Sequence, residues 1–91
     1  MMLSRSDKTK IIDCAKLYGV TAVWLFGSSL GPSRRANDID LAVEGLRPDD
    51  FFPFYRELYF SLSKPVDLVD LGQAPPLEPI IRAHGRRIYA A

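Results

Sequence analysis

One short stretch, Asp38-Ile39-Asp40-Leu41-Ala42-Val43, restricts what this 91-residue chain can become. Two acids are interleaved with Ile39 and Leu41, the pattern of a strand with one apolar and one polar face. Asp38 and Asp40 would stand side by side on the polar face, where their like charges repel. Acids are poor strand formers, and Ile39, Leu41 and Val43 bury the opposite face. Such a pair is expected to share a hard cation such as Mg²⁺ rather than to idle in solvent. Upstream, a hydrophobic segment ends in Leu25-Phe26-Gly27-Ser28, and nine residues separate Ser28 from Asp38. A Gly-Ser turn offers backbone N–H groups and a hydroxyl, which suit a phosphate. Metal and phosphate together point to phosphoryl or nucleotidyl chemistry.

A later apolar segment, Val66 to Leu71, carries Asp67 and Asp70. Their odd spacing sends them to opposite faces of a regular strand, so only one can join Asp38 and Asp40. Asp67 lies between Val66 and Leu68, where an unpaired charge is costly, whereas Asp70 sits near a turn, where an acid is ordinary. Asp67 is therefore the expected third carboxylate.

Around these motifs the chain reads as alternating elements. Ser6 or Asp7 caps a helix that runs to about Tyr18 and stops at Gly19. Val20 to Phe26 reads as a strand, Gly27 to Asn37 as a loop, and Ile39 to Val43 as a second strand. Pro48, followed by Asp49 and Asp50, starts a helix that reaches about Leu62. A strand from Val66 to Leu71 follows, then a turn from Gly72 to Pro76. Leu77 to His84 reads as a helix closed by Gly85, and Arg86 to Tyr89 as a last short strand. The expected fold is α/β (α+β), a small mixed sheet of three to four strands with helices packed on it.

The length makes residues 1–91 one expected domain. A net charge of +1 implies no direct nucleic-acid binding through a uniformly basic surface. The single Cys14 excludes an internal disulfide and a cysteine zinc site, which suits a reduced, cytoplasmic setting. No apolar run approaches the ~20 residues of a membrane span, so no membrane partner is expected. Cys14 reads as a packing residue, and Arg82, His84, Arg86 and Arg87 as a solvated basic cluster at a helix end. Between Phe51 and Leu62, the residues Phe51, Tyr55, Leu58 and Leu62 form an expected core stripe. Phe52, Phe54, Tyr59 and Phe60 cannot all join that stripe, so some must be exposed or meet a partner. A homo- or hetero-oligomer is expected for that reason.

The Gly27-Ser28 turn, the Asp38-Ile39-Asp40 block, Asp67 in Val66-Asp67-Leu68-Val69 and the closing Gly85-Arg86-Arg87-Ile88-Tyr89 resemble the DNA polymerase beta-like nucleotidyltransferase superfamily. The likeness is greatest to its minimal nucleotidyltransferases and covers nearly the whole chain. It implies a polymerase beta-like fold. Gly27, Ser28, Ser29 and Arg34 would contact the nucleotide, which is ATP on this reading. Asp38, Asp40 and Asp67 would be both catalytic and metal-binding, holding two Mg²⁺ ions, with Mn²⁺ an accepted substitute. A hydroxyl would attack the α-phosphorus and pyrophosphate would leave in line.

The resemblance also implies a partner. Minimal nucleotidyltransferases pair with small helical HEPN-type toxins and act as antitoxins, in characterised cases by transferring AMP to a partner tyrosine. Three readings stay open at this stage. The chain is an adenylyltransferase antitoxin, a degenerate module that neutralises its partner by contact alone, or a transferase acting on a small molecule.

Overall fold

A computed structural model describes residues 3–27 and 38–91 of the chain. The element order is α1 (Arg5–Tyr18), β1 (Ala22–Phe26), β2 (Ile39–Glu44), α2 (Phe51–Ser61), β3 (Val66–Asp70), α3 (Glu78–His84) and β4 (Arg86–Ala90). The four strands form one mixed sheet in the order β3-β2-β1-β4. β1 lies antiparallel to both β2 and β4. β3 lies parallel to β2, and a parallel neighbour requires a crossover, which α2 supplies. No helix among the described residues is long and apolar enough to cross a membrane.

The sheet has two different faces because side chains alternate along each strand. Val23, Leu25, Ile39, Leu41, Val43 and Val66 point to one side, where they are buried with Ile11, Cys14 and Ala15 of α1 and Phe54 and Leu58 of α2. The other side carries Ala42 with Trp24, Phe26 and Val69, and it is covered by Ile81 of α3 and by Leu71. The two helices α1 and α2 thus share one layer and α3 holds the other. Burial in the first layer pushes the Cys14 thiol up to about 11, with the nearby Glu57 carboxylate adding to the effect. A thiol held there is a packing group and not a nucleophile.

Two expectations are corrected in this layer. The cap of α1 is Ser4, not Ser6 or Asp7. The Ser4 hydroxyl accepts from the Asp7 backbone N–H at 3.0 Å, and the helix ends at Gly19 in the left-handed conformation (φ 68°). Asp7 is instead 3% exposed and takes hydrogen bonds from the backbone N–H and the hydroxyl of Ser63, just beyond α2. It ties the start of the first helix to the end of the second. The second correction concerns α2. Pro48 to Asp50 form a 3₁₀ turn, the α-helix runs only from Phe51 to Ser61, and its packing turns the Phe54–Leu58 side to the core. Phe54 and Leu58 are fully buried, while Phe51, Tyr55 and Leu62 are only partly so. Phe54 meets the Tyr18 ring edge-on, with centroids 5.6 Å apart at 82°.

The Asp7 contacts have a measurable consequence. Burial alone would raise this carboxyl, but hydrogen bonds from Ser63 and Ser4 and the Lys10 charge outweigh burial and hold it below its usual value of 3.8. A carboxyl lowered in the fold stabilises the fold above its unfolded pKa, and that contribution is lost as pH falls through the folded value. Asp7→Ala is expected to cost about 1–3 kcal/mol at neutral pH, because Ser63 is left without its acceptor. The cost should shrink as the pH is taken well below 4, and paired denaturation curves at the two pH values would show this. A cost that does not change between the two would contradict the assignment.

Candidate functional site

Asp40 and Asp67 lie on the α3 face of the sheet, the side of Ala42 and Val69. Asp40 and Asp67 are register partners across the parallel β2–β3 pair. Residues in register on parallel strands project to the same side, so the two carboxylates are neighbours. Asp38 immediately precedes β2, in a bend and exposed. Leu41 and Ile39, between and beside them in sequence, are fully buried on the other face. Asp70 has a different job. It pairs in register with Val43, and its carboxylate accepts from the Gly72 N–H at 3.0 Å, closing the turn after β3.

Gly27 completes the floor of this site. It follows β1, whose last residue, Phe26, pairs with Asp40. Its φ is +66°, a conformation that favours glycine. A Cβ at this position would lie 2.5 Å from Oδ2 of Asp40. Two requirements therefore meet at one residue, and only glycine satisfies both. Gly27→Ala is expected to displace the Asp40 carboxylate and to lower thermal stability. Paired melting curves would measure this, and a variant that melts with wild type would refute it.

The donor set suits a hard divalent cation, since every ligating atom available from Asp38, Asp40 and Asp67 is a carboxylate oxygen. Gly27 fits the same reading, because only a residue without a Cβ can lie this close to the Asp40 carboxylate. Among the described residues, no three His, Cys, Asp or Glu side chains are gathered closely enough to share a metal ion. The backbone register places Asp40 and Asp67 together; it does not gather three carboxylates into a ready cage. Ser28, Ser29, Arg34 and Arg35 lie outside the described residues.

The same sheet face carries a cluster that the sequence does not announce. Trp24 Nε1 donates to one oxygen of Glu44 at 2.7 Å, and Arg82 Nη2 donates to the other at 2.6 Å. Arg82 also pairs with Glu78 one turn earlier on α3, at 3.1 Å. The guanidinium groups of Arg82 and Arg87 sit 5.7 and 5.8 Å from the centre of the Trp24 ring, within cation–π reach. Burial would raise the Glu44 carboxyl, but Arg82 and Trp24, with Arg87 further off, hold it below the usual range. Arg82 and Arg87 are thus engaged with the sheet and are not part of a wholly solvated basic cluster. The available signal was the period of β2: Asp40, Ala42 and Glu44 fall on one face, so Glu44 shares a side with the site.

Known proteins place these features in context. The polymerase beta nucleotidyltransferase family matches residues 9–91. No curated protein matches the chain. Among solved structures, a toxin–antitoxin complex with AMP-PNP contains a chain that is 30% identical, with a TM-score of 0.75. The match covers 92% of this chain and 73% of that one. A complex of a tri-AMPylated Shewanella oneidensis HEPN toxin with an MNT antitoxin contains a chain that is 26% identical, with a TM-score of 0.72, over 93% of this chain and 71% of that one. A mutant MntA–HpeT toxin–antitoxin complex with two aspartates changed to glutamate gives 26% identity and a TM-score of 0.75, over 92% and 73%. A family match over nearly the whole length, on a sheet whose paired aspartates and glycine turn share one face, leads to one conclusion: the chain belongs to the polymerase beta nucleotidyltransferase family.

Proposed function

We propose that this chain is an antitoxin nucleotidyltransferase that moves AMP from ATP to a hydroxyl, most simply a tyrosine, of a HEPN-type toxin. The observation that carries this reading is the Asp40–Asp67 pair, in register across β2 and β3, with Gly27 closing on Asp40. Support comes from the relatives: one similar structure contains AMP-PNP, and another contains a tri-AMPylated HEPN toxin.

In this reading Gly27 lets the backbone approach the β- and γ-phosphates. Ser28, Ser29 and Arg34 complete the phosphate contacts. Asp38, Asp40 and Asp67 hold divalent cations, Mg²⁺ or Mn²⁺. Bound there, such ions neutralise the triphosphate and stabilise charge that develops around the α-phosphorus. Asp67, on the edge strand and exposed, stands where an incoming hydroxyl arrives and draws its proton. The acceptor oxygen bonds to the α-phosphorus, the bond to the bridging oxygen breaks, and pyrophosphate departs. The acceptor must come within about 3–3.5 Å of the α-phosphorus, so it has to reach the carboxylate face.

The test is intact-mass spectrometry of the chain mixed with a HEPN-type toxin, ATP and Mg²⁺. One or more AMP additions to the toxin are expected. A second reading, neutralisation by contact alone, has one observation in its favour: no three acidic side chains are gathered at metal range among the described residues. A stable complex with no mass change in either chain selects that reading.

A further inference from the structure

The aromatic residues of α2 that the core rejects do not face the carboxylates. Phe54 and Leu58 bury one side of α2 against the sheet. Phe52 and Phe60 are each 76% exposed, and Tyr59 is 53% exposed. With Pro53, Tyr55 and Arg56 they line an open groove of about 470 Å³. From Phe52 to Phe60 this groove follows roughly two turns of helix, or about 12 Å. It lies in the α1–α2 layer, whereas Asp40 and Asp67 lie on the opposite face of the sheet.

A second groove joins the two sides. About 530 Å³ in volume, it is lined by Phe51 and Phe52 at the start of α2, by Val69 and Asp70 of β3, and by Gln73 and Ala74. Phe52 belongs to both grooves. Val69 is two residues beyond Asp67 on the same side of β3, a step of roughly 7 Å. Among the described residues β3 is an edge of the sheet. An apolar track therefore runs from the outer face of α2, around the edge at β3, to the threshold of the carboxylates.

We infer that this track is the docking path of a partner protein, resting on the nucleotidyl-transfer reading above. A helix of the partner lies on Phe52, Tyr59 and Phe60, and an adjoining segment follows the β3 edge and brings its hydroxyl to Asp40 and Asp67. The charge at the centre of the groove selects the occupant. Two copies of α2 packed about a two-fold axis with Phe52 opposite Phe60 would set Arg56 against its own counterpart, so a second copy of this chain is disfavoured. The complement is a different chain, with an apolar helical stripe and a carboxylate that meets Arg56.

The experiment compares three forms of the chain against a HEPN-type toxin: wild type, Asp40→Asn and the double variant Phe52→Ser/Phe60→Ser. Wild type and Asp40→Asn are expected to bind the toxin equally. The double variant should bind at least 100-fold more weakly, with a melting temperature within about 3 °C of wild type, because the altered side chains are exposed. Ala74→Arg, midway along the track, should leave binding intact and slow AMP addition at least ten-fold. Undiminished binding by the double variant overturns the docking site while leaving the transfer reading in place. Loss of binding with Asp40→Asn alone puts the interface on the carboxylate face and overturns it too. A homodimer of the isolated chain broken by Phe60→Ser makes a second copy the occupant, and unimpaired AMP addition by Ala74→Arg removes the β3 edge from the path. Wild-type chain that neither binds nor modifies the toxin sinks the partner reading itself.

Discussion

Asp40→Asn is expected to lower AMP transfer to the toxin by about a thousand-fold or more, since it removes a full negative charge from the ligand set where charge has to be neutralised during transfer. The fold should not suffer. Asp40 stands beside Asp67 in register, and the amide keeps the size and shape of the carboxylate, so the ligand-free variant should melt close to the wild-type temperature. The contrast appears when nucleotide is added. A ligand that binds only the folded state at about one hundred times its Kd stabilises it by about 2.7 kcal/mol. Wild type should show such a shift with millimolar ATP and Mg²⁺, and Asp40→Asn should lose most of it. Paired melting curves and a single-turnover transfer assay check both halves. Transfer at the wild-type rate, or a ligand-free variant that melts well below wild type, would count against Asp40 as a ligand.

Phe54→Ala should produce the largest change in stability. The ring is fully buried in the core cluster that α1 and α2 form with the sheet, and it meets Tyr18 edge-on. Removing a buried Phe typically costs about 3–5 kcal/mol in lost transfer energy and residual cavity. A chain of this length has roughly 5–14 kcal/mol of total stability, so the variant should be marginal at 37 °C. Urea denaturation would read the loss. Phe52→Ala, two residues away and largely exposed, should change the midpoint little. If the two variants melt together, the phase assigned to α2 is wrong.

What the sequence disclosed was whatever depends on short-range spacing. The element order and the mixed sheet follow from periods of two or of three to four residues. The choice of Asp67 over Asp70 needed only parity along one strand and the ordinary place of acids in turns. The misses have equally definite causes. Ser4, Ser6 and Asp7 are all good capping residues within one turn, and what decides among them is Ser63, far away in sequence, which claims Asp7. Phe54 looked peripheral because the stripe was drawn through Phe51, Tyr55, Leu58 and Leu62, whereas the α-helix ends at Ser61 and tertiary packing turns its Phe54–Leu58 side inward. The Trp24–Glu44–Arg82 cluster joins three elements, and no local pattern encodes such a meeting.

The division of labour along β2 also limits how this family member can change over evolutionary time. Ile39, Leu41 and Val43 fill the core, and Asp40 and Glu44 serve the other side, in strict alternation. One inserted residue within that strand would turn Asp40 inward and Leu41 outward, destroying core and chemistry in one step. Substitutions can be tried one at a time in β2, but length cannot. The interval from Ile39 to Glu44 is thus fixed by the two-residue repeat of a strand.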